Sequence, residues 1–174
     1  MPVQRLNHAV LYVRDIGRSV AFYTEAMGFR VVHSMPGRGA FLQAAGSTND
    51  HDLALFAIGA DAGDSAAGRS TVGLYHLAWE VDTLAELRRL AGVLREHGAL
   101  VGASDHGTTK ALYAHDPDGL EFEVCWLVPA DRIGPDAEMK TAPLDLDAAI
   151  AEYGEQTRGG VGVSVQRPGP ARSG

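Results

Sequence analysis

The sequence predicts an α+β fold made of two modules that share one order of elements, β-α-β-β-β. Short apolar runs alternate with two amphipathic helical segments, a pattern that is typical of sheets covered by helices. The two halves also begin alike, with His8-x-Val-x-x-Val-x-Asp15 in one and His76-x-Ala-x-x-Val-Asp82 in the other. We interpret this repetition as an internal duplication.

The first module, at about residues 5–58, reads as a strand, a helix and three strands. An apolar run at 7–13 predicts the opening strand, after which Asp15 can cap a helix that Gly28 ends. Apolar side chains recur along this helix at Val20, Tyr23 and Met27. Turn-forming residues separate the three strands that follow, at 29–33, 39–44 and 52–58.

The second module, at about 74–128, repeats this order. A strand at 74–81 leads into the clearest helix of the chain, at 83–98, which opens with the capping box Thr83-x-x-Glu86. Its predicted buried stripe is Leu84, Leu87, Leu90 and Leu94. The last three strands are predicted at 100–102, 110–114 and 120–127, with the turn Asp116-Pro117-Asp118-Gly119 between the last two.

Two segments lie outside this repeat. Residues 59–73 are rich in Gly, Ala, Ser and Asp and are expected to be a flexible linker. The tail at 129–174 holds five of the eight prolines, and only 144–154 has helical character. We expect a tail that packs over the domain and is disordered from Gly159 onward.

Composition excludes several functions. The net charge of −7 gives no electrostatic attraction to nucleic acid or to an anionic membrane. The single cysteine, Cys125, cannot form an intrachain disulfide, and the first thirty residues show neither a signal pattern nor a spanning segment. These features predict a cytoplasmic protein. The chain contains seven histidines, which is the one feature of its composition that these considerations do not explain.

Two histidines and a glutamate form a candidate metal site. Strand alternation predicts His8 and His76 at equivalent positions of the two modules, and Glu123 lies in an apolar run where an unpaired carboxylate is costly to bury. Two imidazoles and one carboxylate are typical of non-haem Fe(II) sites, but the spacing leaves Mn(II), Zn(II) and Ni(II) open. Glu121 shares a face with Glu123 and competes for the role.

Other interpretations of these residues stay open. A single histidine near a strand start is more often structural than a ligand. His33 falls at a strand end, and the helix dipole alone explains His97 near a helix C-terminus. His51 can cap a turn, and Tyr113 can be a core aromatic.

The repeat, together with HAVLYVRDIGRSVAFYTEAMGF at its start and DPDGLEFEV at its end, resembles the vicinal oxygen chelate superfamily. That family includes glyoxalase I, bleomycin-resistance proteins and extradiol dioxygenases. The resemblance implies mixed sheets curved around a metal-binding cavity. It also selects Glu123 over Glu121, because the family's last ligand lies four residues after the glycine of the DPDG turn.

Within that superfamily the chain is similar to extradiol dioxygenases of the catechol 2,3-dioxygenase type. Their signature is matched by His106-GTTKA-Leu112-Tyr113-AH-Asp116-Pro117-Asp118-Gly119-LEF-Glu123. The resemblance implies that His51 is the acid–base catalyst and that Tyr113 and His106 hydrogen-bond the substrate oxygen. His115 is left undecided, as a pocket residue rather than a ligand.

The resemblance thus implies an Fe(II)-dependent dioxygenase that acts on a small aromatic diol with O2. Mn(II) or another divalent metal can also suit the site. Two alternatives remain: another metal-dependent enzyme of the superfamily, such as a lyase or isomerase, and a metal-free protein that sequesters an aromatic antibiotic. Exposed strand edges in so small a chain further predict a homodimer or higher homo-oligomer.

Overall fold

The computed structural model describes residues 2–68, 70–134 and 141–160. This part of the chain forms two mixed sheets and three α-helices, which confirms the predicted α+β class. The first half contains β1 (Ala9–Val13), α1 (Ile16–Glu25), β2 (Arg30–Met35), β3 (Gly39–Gln43) and β4 (Leu53–Ala57). The remainder contains β5 (Leu77–Glu80), α2 (Leu84–Glu96), β6 (Leu100–Asp105), β7 (Thr109–His115), β8 (Glu121–Leu127), a 3-10 turn (Ala130–Arg132), β9 (Ala142–Pro143) and α3 (Leu146–Tyr153).

The first sheet has the strand order β1-β4-β3-β2. Its first pair is parallel and the others are antiparallel. Alternation turns Leu11 and Val13 into the core, while Val10 and Tyr12 are 53% and 70% exposed. Helix α1 therefore covers one face of the sheet, and the other face is open. His8, the residue before β1, lies on the open face together with Val10 and Tyr12.

Helix α1 begins and ends as the sequence predicts, but its buried stripe is displaced. The Asp15 carboxylate accepts the Arg18 N–H at 2.7 Å, and Gly28 follows the helix with φ +73°. The buried side chains are Ser19, Phe22, Tyr23 and Ala26, whereas the predicted Val20 and Met27 are only half-buried. The stripe at 19, 22, 23 and 26 is the one that faces the sheet.

The second sheet has the order β5-β8-β7-β6-β9. Strands β5 and β8 are parallel, and β6 is antiparallel to both of its neighbours. Strand β5 is shorter than predicted, because it pairs with β8 and this pairing begins at Leu77, opposite Phe122. The two apolar residues ahead of it, Leu74 and Tyr75, are exposed.

Helix α2 confirms its predicted leucine stripe, since Leu84, Leu87, Leu90 and Leu94 are all buried. Its capping box is only half formed. The Thr83 hydroxyl accepts the Glu86 N–H at 3.2 Å. The Glu86 carboxylate, however, accepts hydrogen bonds from Arg89 rather than from the Thr83 N–H, as a complete capping box requires.

The described residues divide into two compact units. One lies within Met1–His76, Val93–Ala99 and His115–Glu121, and the other within Leu77–Gly92, Leu100–Ala114 and Phe122–Gly174. The end of α2 and the turn at 116–119 thus belong to the first unit, and the C-terminal segment belongs to the second. No helix in the described ranges is both long and apolar enough to cross a membrane.

The tail contains the predicted helix as α3 and adds strand β9, which the sequence did not predict. The Asp145 carboxylate caps α3 by accepting the Ala148 N–H at 2.9 Å. Beyond the helix, the Glu155 carbonyl accepts the Ala85 N–H at the start of α2. The predicted disorder concerns residues 159–174, of which 161–174 lie outside the described residues.

Candidate functional site

Aromatic rings and histidines line the open face of the first sheet. The Phe41 ring packs edge-on against Phe56 and against His51, with centroids 5.9 and 5.0 Å apart. The ring of His8 lies 4.5 Å from that of His51, and His33 lies 5.8 Å from Phe41. We call these five residues the aromatic-histidine face; two of the predicted site residues, His8 and His51, meet on it.

The loop that carries His51 is built around the Asp52 carboxylate. That carboxylate accepts the Ala44 N–H at 2.9 Å, the Ser47 hydroxyl at 2.7 Å and the Asn49 amide at 2.8 Å. Three donors converging on one acceptor group fix the loop just before β4. His51, next to Asp52 in sequence, is therefore held on a rigid base with 16% of its side chain exposed.

Neighbouring acceptors orient both imidazoles. The Asp50 carboxylate lies 3.2 Å from His51 Nδ1 and accepts the His51 N–H at 2.9 Å, and this backbone bond is the main reason that the Asp50 pKa is lowered. The Asn7 side-chain oxygen lies 2.8 Å from His8 Nδ1. An acceptor at Nδ1 places the ring proton there and leaves Nε2 with the lone pair, the form that binds a metal or takes up a proton.

His76 lies beside Glu121, the competitor of the predicted ligand. Its Nδ1 is 3.6 Å from one Glu121 carboxylate oxygen, and His115 Nε2 is 3.8 Å from the other. Glu121 is 22% exposed, so this carboxylate is sheltered between two imidazoles. The sequence left His115 undecided as a pocket residue, and its contact with Glu121 was not predicted, although the two residues flank the DPDG turn.

Glu123 is placed on the same strand face as Cys125 and lies opposite Ala78 in the β5–β8 register. The Cys125 thiol is hydrogen-bonded to Glu123. Burial, together with the negative charges of Glu123 and Glu80, raises the pKa of Cys125 to about 12. The Cys125 thiol therefore stays protonated at neutral pH in the metal-free chain.

His106 and Tyr113 are hydrogen-bonded to each other. His106 Nε2 lies 2.9 Å from the Tyr113 hydroxyl, and the two rings meet edge to face with centroids 6.5 Å apart. On its other side, His106 Nδ1 lies 3.4 Å from the Thr141 hydroxyl. Tyr113 is half-buried rather than a fully buried core aromatic.

An ion-pair network that the sequence did not reveal anchors the DPDG turn. The Asp118 carboxylate accepts Arg14 Nη1 at 3.1 Å, the Arg14 backbone N–H at 3.0 Å and Arg18 Nη2 at 2.5 Å. Asp116 is buried and accepts the Tyr23 hydroxyl at 3.2 Å, and burial raises the pKa of both groups. The turn that precedes Glu121 is thus fixed to the start of α1.

The predicted ligands suit a divalent metal by donor chemistry, since two imidazoles and a carboxylate bind Fe(II), Mn(II) and related ions. Within residues 2–68, 70–134 and 141–160, however, no three His, Cys, Asp or Glu side chains are grouped so as to hold a metal ion. The structure pairs His8 with His51, and His76 with Glu121.

Comparisons with known proteins identify relatives of two activities. The chain is 31% identical over 157 residues to the catechol-2,3-dioxygenase of Bacillus subtilis (strain 168), covering 88% of this chain but 53% of that protein. It is also 31% identical over 136 residues to the lactoylglutathione lyase of Salmonella typhimurium, covering 74% of this chain and 96% of the lyase. The chain therefore spans only about half of the dioxygenase and nearly all of the lyase.

Solved structures share the fold. One is a mutant fosfomycin resistance protein from Listeria monocytogenes in complex with Mn(II) and 1S,2S-dihydroxypropylphosphonic acid. It is 21% identical, with a TM-score of 0.54, over 71% of this chain and 90% of that one. Residues 5–124 match the family described as the glyoxalase/bleomycin resistance protein/dioxygenase superfamily. The chain belongs to this superfamily.

Proposed function

We propose that the protein is an extradiol dioxygenase that inserts O2 beside the diol of a catechol-type aromatic and uses Fe(II). The observation that carries this proposal is the position of His51, whose ring lies 4.5 Å from His8 and 5.0 Å from Phe41. An imidazole, the side chain that most often serves as an acid–base catalyst, thus lies beside both a proposed metal ligand and the Phe41 ring.

His8, His76 and Glu123 are the proposed ligands, and His8 presents its Nε2 lone pair because Asn7 lies at Nδ1. When bound, the metal would supply Lewis-acid activation of the diol oxygens. Fe(II) is proposed because the chain is similar to a catechol dioxygenase, and Mn(II) is the second choice because a protein of the same fold binds it.

His51 is the proposed acid–base group. With Asp50 at its Nδ1, the basic nitrogen is Nε2, which can take a proton from a diol hydroxyl and later return it to the leaving oxygen. The Asp50 carboxylate also stabilises the protonated ring. Tyr113 and His106 are proposed to hydrogen-bond the substrate oxygen as a pair, Tyr113 through its own hydroxyl and His106 through its hydrogen bond to that hydroxyl.

The aromatic-histidine face indicates a planar, apolar substrate. Phe41 and Phe56 offer ring edges and faces at stacking distance, and the exposed Val10 and Tyr12 extend the apolar surface along β1. Ring stacking prefers an aromatic ligand over an aliphatic one of the same size. This supports a catechol rather than a non-aromatic diol.

The test is anaerobic reconstitution with Fe(II), followed by catechol and air, with oxygen uptake and the yellow ring-fission product as readouts. We expect both signals with the parent protein and at least a hundredfold loss of product formation in His51→Ala, as is typical for removal of an acid–base group.

His97→Ala is the control, because the His97 ring contacts Phe22, outside the aromatic-histidine face, and has no proposed role. It should keep most of the activity. A panel of catechols that stays colourless without oxygen uptake would refute the dioxygenase. Tight binding of a planar aromatic antibiotic without any bound metal would instead support the sequestering alternative.

One observation favours a second candidate, a lyase of the glyoxalase type. The chain covers 96% of a lactoylglutathione lyase, against 53% of the catechol dioxygenase, at the same identity of 31%. Formation of S-lactoylglutathione from methylglyoxal and glutathione, followed by its absorbance, tests this candidate. Activity there that does not depend on His51 would favour the lyase over the dioxygenase.

We also propose that the protein forms a homodimer in the cytoplasm. Strands β1 and β5 lie at the edges of their sheets, and exposed edges are commonly covered by a second copy. Apolar Val10 and Tyr12 on β1 are exposed, which adds to the surface that association can bury. Mixing His8→Ala with Glu123→Ala chains tests whether copies share a metal site, since shared sites regain activity in mixed dimers.

A further inference from the structure

The segment Thr141–Gly160 lies outside the residues that match the superfamily, which end at 124. It nevertheless contacts the hairpin that carries His106, between β6 and β7. Strand β9 pairs with β6, with Ala142 opposite Asp105. In an antiparallel pair the next residue on one strand faces the preceding residue on the other, so this register brings Thr141 opposite His106.

The contact made by this register is specific. The Thr141 hydroxyl lies 3.4 Å from His106 Nδ1, while His106 Nε2 lies 2.9 Å from the Tyr113 hydroxyl. A histidine held at both ring nitrogens has its orientation and its tautomer fixed by those two partners. If the Thr141 hydroxyl donates to Nδ1, the Nε2–H donates to Tyr113, and the Tyr113 hydroxyl proton is directed to another acceptor.

The buried side chain of Lys110 stabilises the same hairpin. Lys110 is 3% exposed, and its ammonium group donates to Asp105 at 2.6 Å and to the Gly107 carbonyl at 3.0 Å. Asp105 and Gly107 are the two neighbours of His106 in sequence. Asp105 also accepts the Gly107 N–H at 2.7 Å, so one ion pair closes the turn on which His106 sits.

The tail completes the surroundings of this lysine. The Tyr153 ring of α3 lies 5.5 Å from the Lys110 ammonium, at cation–π distance, and packs against Trp126 with centroids 5.5 Å apart. Trp126 in turn donates to the Thr157 carbonyl. A buried cation needs every such partner, because desolvation is otherwise costly.

We propose that the C-terminal segment positions the His106–Tyr113 pair, through Thr141 on the imidazole and Tyr153 over Lys110. Thr141 and Tyr153 are then positioning residues that act through His106 and its hairpin. The importance of the pair for ring cleavage rests on the proposed function, but the positioning is a property of the folded chain and is measurable without metal or substrate.

The first test compares Thr141→Val, which is isosteric but lacks the hydroxyl, with Thr141→Ser, which keeps it. The readout is the nitrogen-15 resonance of His106 Nδ1 in the metal-free protein. We expect the resonance to move in Thr141→Val and to return to the parent position in Thr141→Ser. Identical resonances in all three proteins would overturn the role of Thr141, whatever activity is found.

The second test compares Tyr153→Leu with Tyr153→Phe, which keeps the ring. Amide hydrogen exchange of residues 105–110 should be about tenfold faster in Tyr153→Leu and unchanged in Tyr153→Phe, because the ring face is what contacts Lys110. Gln156→Ala is the control, because Gln156 is exposed. Equal exchange in Tyr153→Leu and the parent would overturn the role of Tyr153.

In the Fe(II) and catechol assay, Thr141→Val should lower kcat with little change in KM, and Thr141→Ser should restore it. If the parent is inactive while the resonance and exchange results hold, the dioxygenase proposal fails and the positioning stands. If the parent is active while His106 is unaffected by Thr141, the positioning fails alone.

Discussion

The buried carboxylate of Asp118 is predicted to contribute strongly to stability. Its side chain is 6% exposed and accepts three hydrogen bonds, two from Arg14 and one from Arg18. Arg18 is half exposed, so its bond contributes little. The two bonds from Arg14 at about 1.5 kcal/mol each give about 3 kcal/mol for Asp118→Ala, including the cost of a backbone N–H left unsatisfied.

Urea unfolding followed by circular dichroism measures this change, and Tm should fall by roughly 6–12 °C for a chain of this length. Asp64→Ala is the matched control, because Asp64 contacts the same Arg14 at 2.6 Å but its side chain is 92% exposed. It should leave the urea midpoint nearly unchanged. Equal shifts for the two variants would show that burial of Asp118 does not set its contribution.

Two further predictions concern the start of α2 and the DPDG turn. Thr83→Ala should cost about 1 kcal/mol in urea unfolding because it removes an N-cap, whereas Glu86→Gln should cost less, since Glu86 does not complete the capping box; a larger loss for Glu86→Gln would contradict this. Burial raises the pKa of Asp116 above its ordinary 3.8, so the folded state binds that proton more tightly than the unfolded state. The resulting stabilisation is complete below pH 3.8 and is lost as pH rises through the folded pKa. The loss of stability in Asp116→Asn, relative to the parent, should therefore be greater at pH 3.5 than at pH 7, in unfolding curves at both pH values; the reverse order would contradict the sign.

Regular elements could be predicted from the sequence because their signals are local. The leucine stripe of α2, the Asp15 cap of α1 and the turn residues between strands all lie within a few positions of each other. The buried stripe of α1 could not be placed correctly, because Phe22 and Val20 are both apolar and only the sheet decides which of them is covered.

Contacts between distant residues could not be predicted. Arg14 and Asp118 are 104 positions apart, and nothing local to either indicates a pair. Strand β9 is two residues long and contains Pro143, a residue that argues against a strand except at an edge. It forms only because β6 offers an edge, so the contact of Thr141 with His106 was equally hidden.

The candidate site was predictable in its residue types and only partly in its arrangement. Alternation placed Glu121 and Glu123 on one face, and the DPDG spacing chose between them by resemblance. The structure pairs Glu121 with His76. This contact depends on the register between β5 and β8, which the residues around Glu121 or around His76 do not reveal by themselves. The structure places the His51 ring next to that of His8, and the acid–base role of His51 stays a prediction.

Metal content per chain tests the central claim most directly. After anaerobic loading with Fe(II) and removal of free metal, the parent, His51→Ala and Glu121→Ala proteins should retain bound iron. His8→Ala, His76→Ala and Glu123→Ala should lose it, because each removes a proposed ligand. Retention of iron in Glu123→Ala together with its loss in Glu121→Ala would contradict the account and assign the site to the His76–Glu121 pair.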